Sequence, residues 1–170
     1  MKNIFLLFLI ISCIFFIGCT ENKTNHINVI ETSTATEKFF FSSGGAYHPS
    51  GYGEWQVIID NSGGIEIAHV VGEKKKEYGK FKLSQTETKE VWNLIEKANV
   101  RGLMESQRAG LPDEVAYTFK FTKTEIVNLT DVPGFVIWVN DAKKDQNIIT
   151  LINHLGRLIE KFTKETPILN

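Results

Sequence analysis

The side chains that most often carry catalysis form no recognisable pattern in this 170-residue chain. None of its four histidines is spaced from another, or from a cysteine, as zinc motifs require; they are His26, His48, His69 and His154. The sequence also lacks the HExxH and CxxC motifs, the Gly-x-Ser-x-Gly motif of hydrolases, phosphate-binding loops and dinucleotide fingerprints. It therefore predicts no metal site, no cofactor and no catalytic residue.

Carboxylates are the remaining candidates for acid–base chemistry, because any two of the 20 acidic side chains could meet in space. One adjacent pair, Asp113 and Glu114, follows Pro112 at the entrance to a predicted strand. We interpret this pair as a solvated turn. An enzyme that acts through a carboxylate pair stays open as an alternative function.

The two cysteines, Cys13 and Cys19, lie inside and directly after an apolar run at the start of the chain. Lys2 supplies a positive charge, and residues 4–17 supply an apolar segment within the range of roughly 7–15 residues that is typical of signal peptides. This segment is shorter than the roughly 20 residues of a membrane-spanning helix. We predict cleavage before Cys19, which leaves one cysteine and no internal disulfide.

The segment Phe16, Ile17, Gly18 and Cys19 resembles the lipobox of bacterial lipoproteins. The resemblance implies a diacylglycerol on the Cys19 sulfur and an anchor on the non-cytoplasmic side of the cell envelope, in the outer or the cytoplasmic membrane. Two or three acyl chains would anchor the protein stably, whereas one chain binds only marginally. An ordinary secretory signal and acylation at Cys13 are the alternatives.

Composition divides the chain into three predicted parts. Residues 1–18 form the signal peptide, residues 19–37 form the lipidated cysteine with a flexible polar tether, and residues 38–170 form a single domain. The tether is rich in Thr, Asn and Glu and shows no sustained period. A net charge of −1 offers no basic field for nucleic acid, so the predicted partners are the membrane and an envelope or secreted protein.

Apolar periodicity predicts an α+β fold. Ser84 begins a helix, because with Glu87 it fits a capping box, and a second amphipathic helix covers residues 148–162. Alternation predicts strands at residues 39–41, 54–60, 65–71, 81–83, 115–121, 125–130 and 135–140, and residues 72–77 are predicted as a charged link. We expect an antiparallel sheet of about five to six strands with two main helices on one face.

Individual side chains have expected positions within this fold. The apolar stripes and alternating faces predict five buried residues, which are Val91, Ile95, Tyr117, Phe119 and Ile152. His69 shares a strand face with apolar residues, so we predict a half-buried structural histidine. His154 is expected at the boundary of the last helix.

The stretch SSGGAYHPSGYGEW, residues 42–55, has the composition of a recognition loop. Glycine gives the backbone conformational freedom, and tyrosine supplies amphipathic contact area at a low entropic cost. We therefore predict a partner-binding loop that acts through Tyr47, His48 and Tyr52. The alternative is a long hairpin connection whose aromatic side chains fold back on the sheet.

The domain contains a strand that runs into SSGG at residues 42–45, a capped helix, a strand that begins with Pro112, Asp113 and Tyr117, and a closing helix. Together these segments resemble the emfourin-type inhibitors of bacterial metalloproteases. The resemblance implies protein binding, in its sharpest form protease inhibition, and it carries over no inhibitory residue. The predicted function is thus a membrane-anchored, non-enzymatic binding domain, and a structural lipoprotein is a further alternative.

Overall fold

The computed structural model describes residues 36–45, 53–111, 114–123 and 132–169, all within the compact unit Thr34–Asn170. In these residues the strands are β1 (Lys38–Ser42), β2 (Glu54–Asp60), β3 (Gly64–Val71), β4 (Lys74–Lys82), β5 (Ala116–Thr122) and β6 (Gly134–Trp138). They form one antiparallel sheet in the order β4-β3-β2-β1-β5-β6. The helices are α1 (Gln85–Lys97), the short α2 (Val139–Ala142) and α3 (Gln146–Thr163), with a 3-10 turn at Val100–Gly102. The predicted α+β fold is confirmed.

The core lies on one face of the sheet, between the strands and the two main helices. Phe39 and Phe41 of β1 pack against Phe119 of β5 with ring centroids 6.1 and 5.7 Å apart. The helices complete the same apolar cluster, α3 with an almost continuous buried stripe. All five residues predicted to be buried are at most 3% exposed; they are Val91, Ile95, Tyr117, Phe119 and Ile152.

The first helix begins where the capping box predicted. The Ser84 hydroxyl accepts the Glu87 backbone N–H at 3.2 Å, and the Glu87 carboxylate accepts the Ser84 backbone N–H at 3.0 Å. Glu87 also pairs with Lys161 of α3, so one carboxylate both caps α1 and links the two helices. The bonds from Lys161 and then from Ser84 lower the pKa of Glu87 to about 2.

Strand β4 is longer than predicted. Residues 72–77 were expected to be a link, but the strand already begins at Lys74 and runs through a bulge, opposite the step from Ile67 to Ala68, to Lys82. The charged residues of β4 are compatible with a strand, because β4 is at the edge of the sheet and its side chains are mostly solvated. Lysines on an edge also discourage pairing with other chains. The predicted link was therefore wrong for residues 74–77.

The last strand is shorter than predicted, since Val139 and Asn140 belong to α2. The Val139 N–H donates to the Val115 carbonyl at 3.1 Å, and the Asn140 N–H donates to the Glu114 carboxylate at 3.1 Å. The first bond continues the pairing of β5 with β6, in which Ala116 faces Trp138, and the second holds the first turn of α2. The predicted strand at residues 125–130 lies outside the described residues.

The two ends of the sheet carry different connections. The strand β1 begins at Lys38, directly after the predicted tether, and runs about 13 Å to Ser42, where the glycine-rich stretch begins. Because β1 and β2 are antiparallel, that stretch returns to the sheet beside Ser42, at Glu54. We call the end with Ser42 and Glu54 the loop end, and the end with Lys38 and Asp60 the tether end.

The predicted signal peptide, with Cys13 and Cys19, and most of the predicted tether also fall outside the described ranges. Among the described residues, no helix is both long enough and apolar enough to cross a bilayer.

Candidate functional site

The structure describes the two roots of the predicted recognition loop, but Tyr47, His48 and Tyr52 themselves are not among the described residues. Ser43 forms the first root. Its N–H donates to the Trp55 carbonyl at 3.0 Å, and its hydroxyl accepts the Trp55 N–H at 2.9 Å. The buried Ser43 hydroxyl thus replaces a backbone acceptor and extends the pairing of β1 and β2 by one residue. It fixes the point at which the loop leaves the sheet.

A second set of hydrogen bonds at the loop end lies on the face of the sheet opposite the helices. The Ser42 hydroxyl donates to the Glu54 carboxylate at 2.6 Å, and the Gln56 amide donates to the same oxygen at 2.8 Å. Both donors hold the Glu54 side chain across the roots of the loop. The loop end is therefore fixed by side chains on both faces of the sheet.

Gly44 turns the chain away from β1. Its φ is +59°, a conformation that side chains with a Cβ rarely adopt, and a Cβ here would overlap the carbonyl oxygen of Ala116 on β5. The Ser-Ser-Gly-Gly segment consequently has a local structural explanation. Its serines make the hydrogen bonds described above, and Gly44 permits a close passage over β5.

The second root, Gly53, packs against an aromatic cluster that comprises Trp55, His69, Tyr78, Lys76 and Glu165. The Trp55 and His69 rings stack 4.2 Å apart at an angle of 9°, and the Trp55 and Tyr78 centroids are 5.6 Å apart. The Lys76 ammonium lies 4.3 Å from the Tyr78 centroid and 2.7 Å from the Glu165 carboxylate. A side chain on Gly53 would overlap the His69 ring, so the loop returns directly onto this cluster.

The pKa shifts of His69 and Tyr78 both favour uncharged rings at neutral pH, which suits their packing in the cluster. Burial lowers the pKa of His69; Glu165 opposes this effect and Lys76 adds to it. Burial, and then Glu165, raise the pKa of the Tyr78 hydroxyl. That hydroxyl is buried and has no well-aligned hydrogen-bond partner in the described part of the chain, although Glu165 and Lys76 are close enough to influence it. His69 is half-buried, as predicted, and its uncharged ring serves as a stacking surface.

The C-terminal tail, residues 165–169, contacts the core side of the loop end. Glu165 reaches β4 through Lys76, and the buried Tyr117 hydroxyl of β5 donates to the Leu169 carbonyl. Burial raises the pKa of Tyr117 to about 12. Sequence reasoning missed this tail because residues 164–169 have no apolar period. The available signal was Tyr117, since a buried tyrosine hydroxyl needs a hydrogen-bond partner.

The carboxylate pair noted in the sequence does not form a solvated turn at Glu114, and Asp113 lies outside the described residues. The Glu114 side chain is 4% exposed and accepts two hydrogen bonds from the Arg108 guanidinium, at 2.6 and 2.7 Å. The Leu111 and Asn140 backbone N–H groups also donate to it. The solvated-turn interpretation was therefore wrong for Glu114, because four donors converge on it.

This carboxylate fastens the segment before β5 to α2. Arg108 also donates to Asp141 of α2 at 3.0 Å, so its guanidinium bridges two carboxylates. The Arg108 bonds, the largest favourable contribution, lower the pKa of Glu114 to about 2. A carboxylate with so low a pKa and with both oxygens occupied is a poor general base near neutral pH.

Three concave surfaces in the described ranges are small and open to solvent. Two open depressions of about 230 and 260 Å³ are near the tether end, and one of about 160 Å³ lies over the bulge between β3 and β4. Small-molecule sites usually enclose roughly 300–1,000 Å³. In those same ranges, no three His, Cys, Asp or Glu side chains are grouped so that they could hold a metal ion.

No protein-family model matches this chain, and no curated protein matches it significantly.

Proposed function

We propose that this protein is a lipoprotein of the bacterial cell envelope, anchored through Cys19, whose domain binds a protein partner without catalysing a reaction. The observation that supports this proposal most strongly is the position of the loop roots. Ser43 and Gly53 hold both ends of the loop at one end of the sheet, while the chain enters the domain at Lys38 at the other end.

This arrangement suits a domain that is displayed from a membrane. The two ends of β1 are about 13 Å apart, so the loop roots and the point where the chain enters the domain lie at different ends of the sheet. The basic run at the start of β4, which could contact anionic headgroups, is also at the loop end, because Lys74 pairs with Val71. Its Lys76 already pairs with Glu165.

Two exposed apolar side chains border the loop end. Leu111 is 58% exposed in the segment that Glu114 fastens, and Ile168 is 49% exposed in the C-terminal tail. The centres of protein interfaces are enriched in apolar and aromatic residues and depleted in charges. A partner that contacts Tyr47 and Tyr52 would find additional apolar area on these segments. The sharpest form of the proposal, inhibition of a secreted or neighbouring protease, is supported by the resemblance to the emfourin-type inhibitors.

The anchor is tested by Cys19→Ala. Without the sulfur no acyl chain can be attached, so we expect the protein to leave the detergent phase on phase partitioning and to lack the lipid mass in intact-mass spectrometry. Cys13→Ala is the matched control and should change neither result. If Cys19→Ala keeps both the partitioning and the mature mass of the parent, the lipoprotein proposal is wrong.

The binding surface is tested by replacing Tyr47 and Tyr52 with alanine in the chain that lacks residues 1–19. We expect capture of a partner from envelope extract to weaken by about 30-fold or more, because tyrosines at interface centres contribute upwards of about 2 kcal/mol at the strongest sites. The free energy of unfolding, from urea titration, should stay within about 1 kcal/mol of the parent.

Met104→Ala is the control for this experiment. Met104 is 86% exposed and belongs to the segment between the 3-10 turn and β5, not to the loop or its roots, so its truncation should leave capture unchanged. Loss of stability in the tyrosine variant would mean that these rings belong to the core. Unchanged capture in a stable tyrosine variant would place the partner surface elsewhere. Capture of an active protease whose activity falls on binding would support the inhibitor form.

A further inference from the structure

A buried histidine between the two main helices has no part in the proposed binding surface. His154 of α3 is 5% exposed, although its position between apolar residues had suggested the boundary of the helix. Its ring lies against α1, where the Glu90 carboxylate is 3.4 Å from Nδ1. We propose that His154 makes an acid-sensitive contact between the helices. Its neutral ring packs against α1, and a second proton, which makes the ring positively charged, loosens α3 from α1. This inference is independent of the proposed function.

Two charged neighbours of the ring meet the same nitrogen atom. The Arg157 guanidinium lies 3.2 Å from Nδ1 and can only donate, whereas the Glu90 carboxylate lies 3.4 Å from Nδ1 and can only accept. The Nε2 atom is buried and has no hydrogen-bond partner among the described residues. In either tautomer, the folded protein thus accommodates a neutral ring whose Nε2 atom is unpaired.

A second proton changes these contacts. With both ring nitrogens protonated, Nδ1 can no longer accept from Arg157, two positive groups lie side by side, and the buried Nε2–H has no acceptor among the described residues. From α1, Glu90 could accept the Nδ1–H, but its side chain is 55% exposed and therefore partly screened by water. The other nearby carboxylate on α1, Glu87, is already paired with Lys161 of α3. The buried positive charge is left incompletely compensated.

The direction of the pKa shift agrees with this geometry. Burial lowers the pKa of His154, Glu90 opposes the shift, Arg157 adds to it, and Glu87 opposes it. The unfolded chain, with a histidine pKa of about 6.5, consequently binds the proton more readily than the folded chain. The stabilisation from a neutral His154 is complete above about pH 6.5 and is lost as the pH falls from there towards the lowered pKa. Loosening of α3 would extend to the tail that follows it, which contacts Lys76 and Tyr117.

The first test is an NMR titration of the full chain in detergent micelles between pH 8 and pH 5. We expect the His154 ring signal, assigned by its loss in His154→Gln, to titrate below pH 6.5, and amide exchange of α3 to accelerate in acid relative to β1 and β5. A His154 ring that titrates at or above pH 6.5, or α3 amides whose protection does not change, would overturn the proposal. The amide-exchange measurement uses only the parent protein, so that part of the test holds even if the variant does not fold.

The second test compares urea unfolding at pH 7.5 and pH 5.5. Carboxylates with ordinary or lowered pKa values stay ionised in this window, so the histidines dominate the change. We expect the unfolding equilibrium constant of the parent to rise in acid, by at most about tenfold per pH unit for each buried histidine. The rise should be smaller in His154→Gln by the His154 contribution, while His69, whose pKa is also lowered, keeps its own contribution. His69→Gln is the matched control and should keep the His154 contribution. An equal pH dependence in the parent and in His154→Gln would contradict the proposal.

Discussion

Replacing Ile152 with alanine is expected to lower the free energy of unfolding by roughly 2–5 kcal/mol. Ile152 is 3% exposed in the middle of α3, and its neighbours Leu151 and Leu155 are both completely buried. Removing three methyl or methylene groups at such a site loses their transfer free energy and leaves a cavity, because the surrounding side chains are held by the sheet. Urea denaturation at neutral pH, followed by far-UV circular dichroism, measures the change.

Asn153→Ala is the matched control for this prediction. Asn153 is the next residue of α3 but is exposed, so its replacement should change the free energy of unfolding by about 0.5 kcal/mol or less. If Ile152→Ala shifts the urea midpoint no more than Asn153→Ala does, α3 is not docked on the sheet in solution.

The elements that could be predicted are those whose signal is local. Val91 and Ile95 recur at helical spacing, Tyr117 and Phe119 alternate along a strand, and the capping box at Ser84 is complete within four residues. Each of these patterns reports one buried face or one pair of backbone donors, and each was confirmed. The start of β4 was missed for a related reason. At an edge strand the apolar alternation fades, although the backbone still pairs with β3.

The features that could not be predicted depend on contacts between distant residues. The buried state of Glu114 requires Arg108 and the N–H of Asn140, and the sequence around Glu114 alone is that of an exposed turn. Similarly, His154 is buried because α3 packs against α1. This contact places Glu90 against a ring that the apolar periodicity had put at the boundary of the helix. Such placements follow from the packing angle of elements, which no single apolar pattern specifies.

The candidate site also has one part that its local sequence predicted and one part that depends on contacts between distant residues. The composition of the loop predicted recognition, and Tyr47, His48, Tyr52 and the lipidated Cys19 stay predictions. The roots were not predicted, because the hydrogen bonds of Ser43 to Trp55 and the contact of Gly53 with His69 join residues from different strands. These roots define where the chain leaves and re-enters the sheet, and they can be tested without knowledge of any partner.

Gly44→Ala is expected to be among the most destabilising single changes at the loop end, with a cost of roughly 2–5 kcal/mol in the free energy of unfolding. About 1–2 kcal/mol of this cost comes from forcing an L-residue into the left-handed conformation, since Gly44 has a φ of +59°. The remainder comes from overlap of the new Cβ with the carbonyl oxygen of Ala116, which is backbone and cannot rotate away. We expect the first root, Ser43, to separate from β5.

Gly72→Ala separates the two contributions. Gly72 lies between β3 and β4 with nearly the same φ, +58°, but no heavy atom lies within 4 Å of the position its Cβ would occupy. Its substitution should therefore cost only the conformational part. In urea titrations of both variants, Gly44→Ala should lose at least 1 kcal/mol more than Gly72→Ala. Equal losses would mean that β5 moves freely beside the first root, and that the loop is not held where the hydrogen bonds of Ser43 indicate.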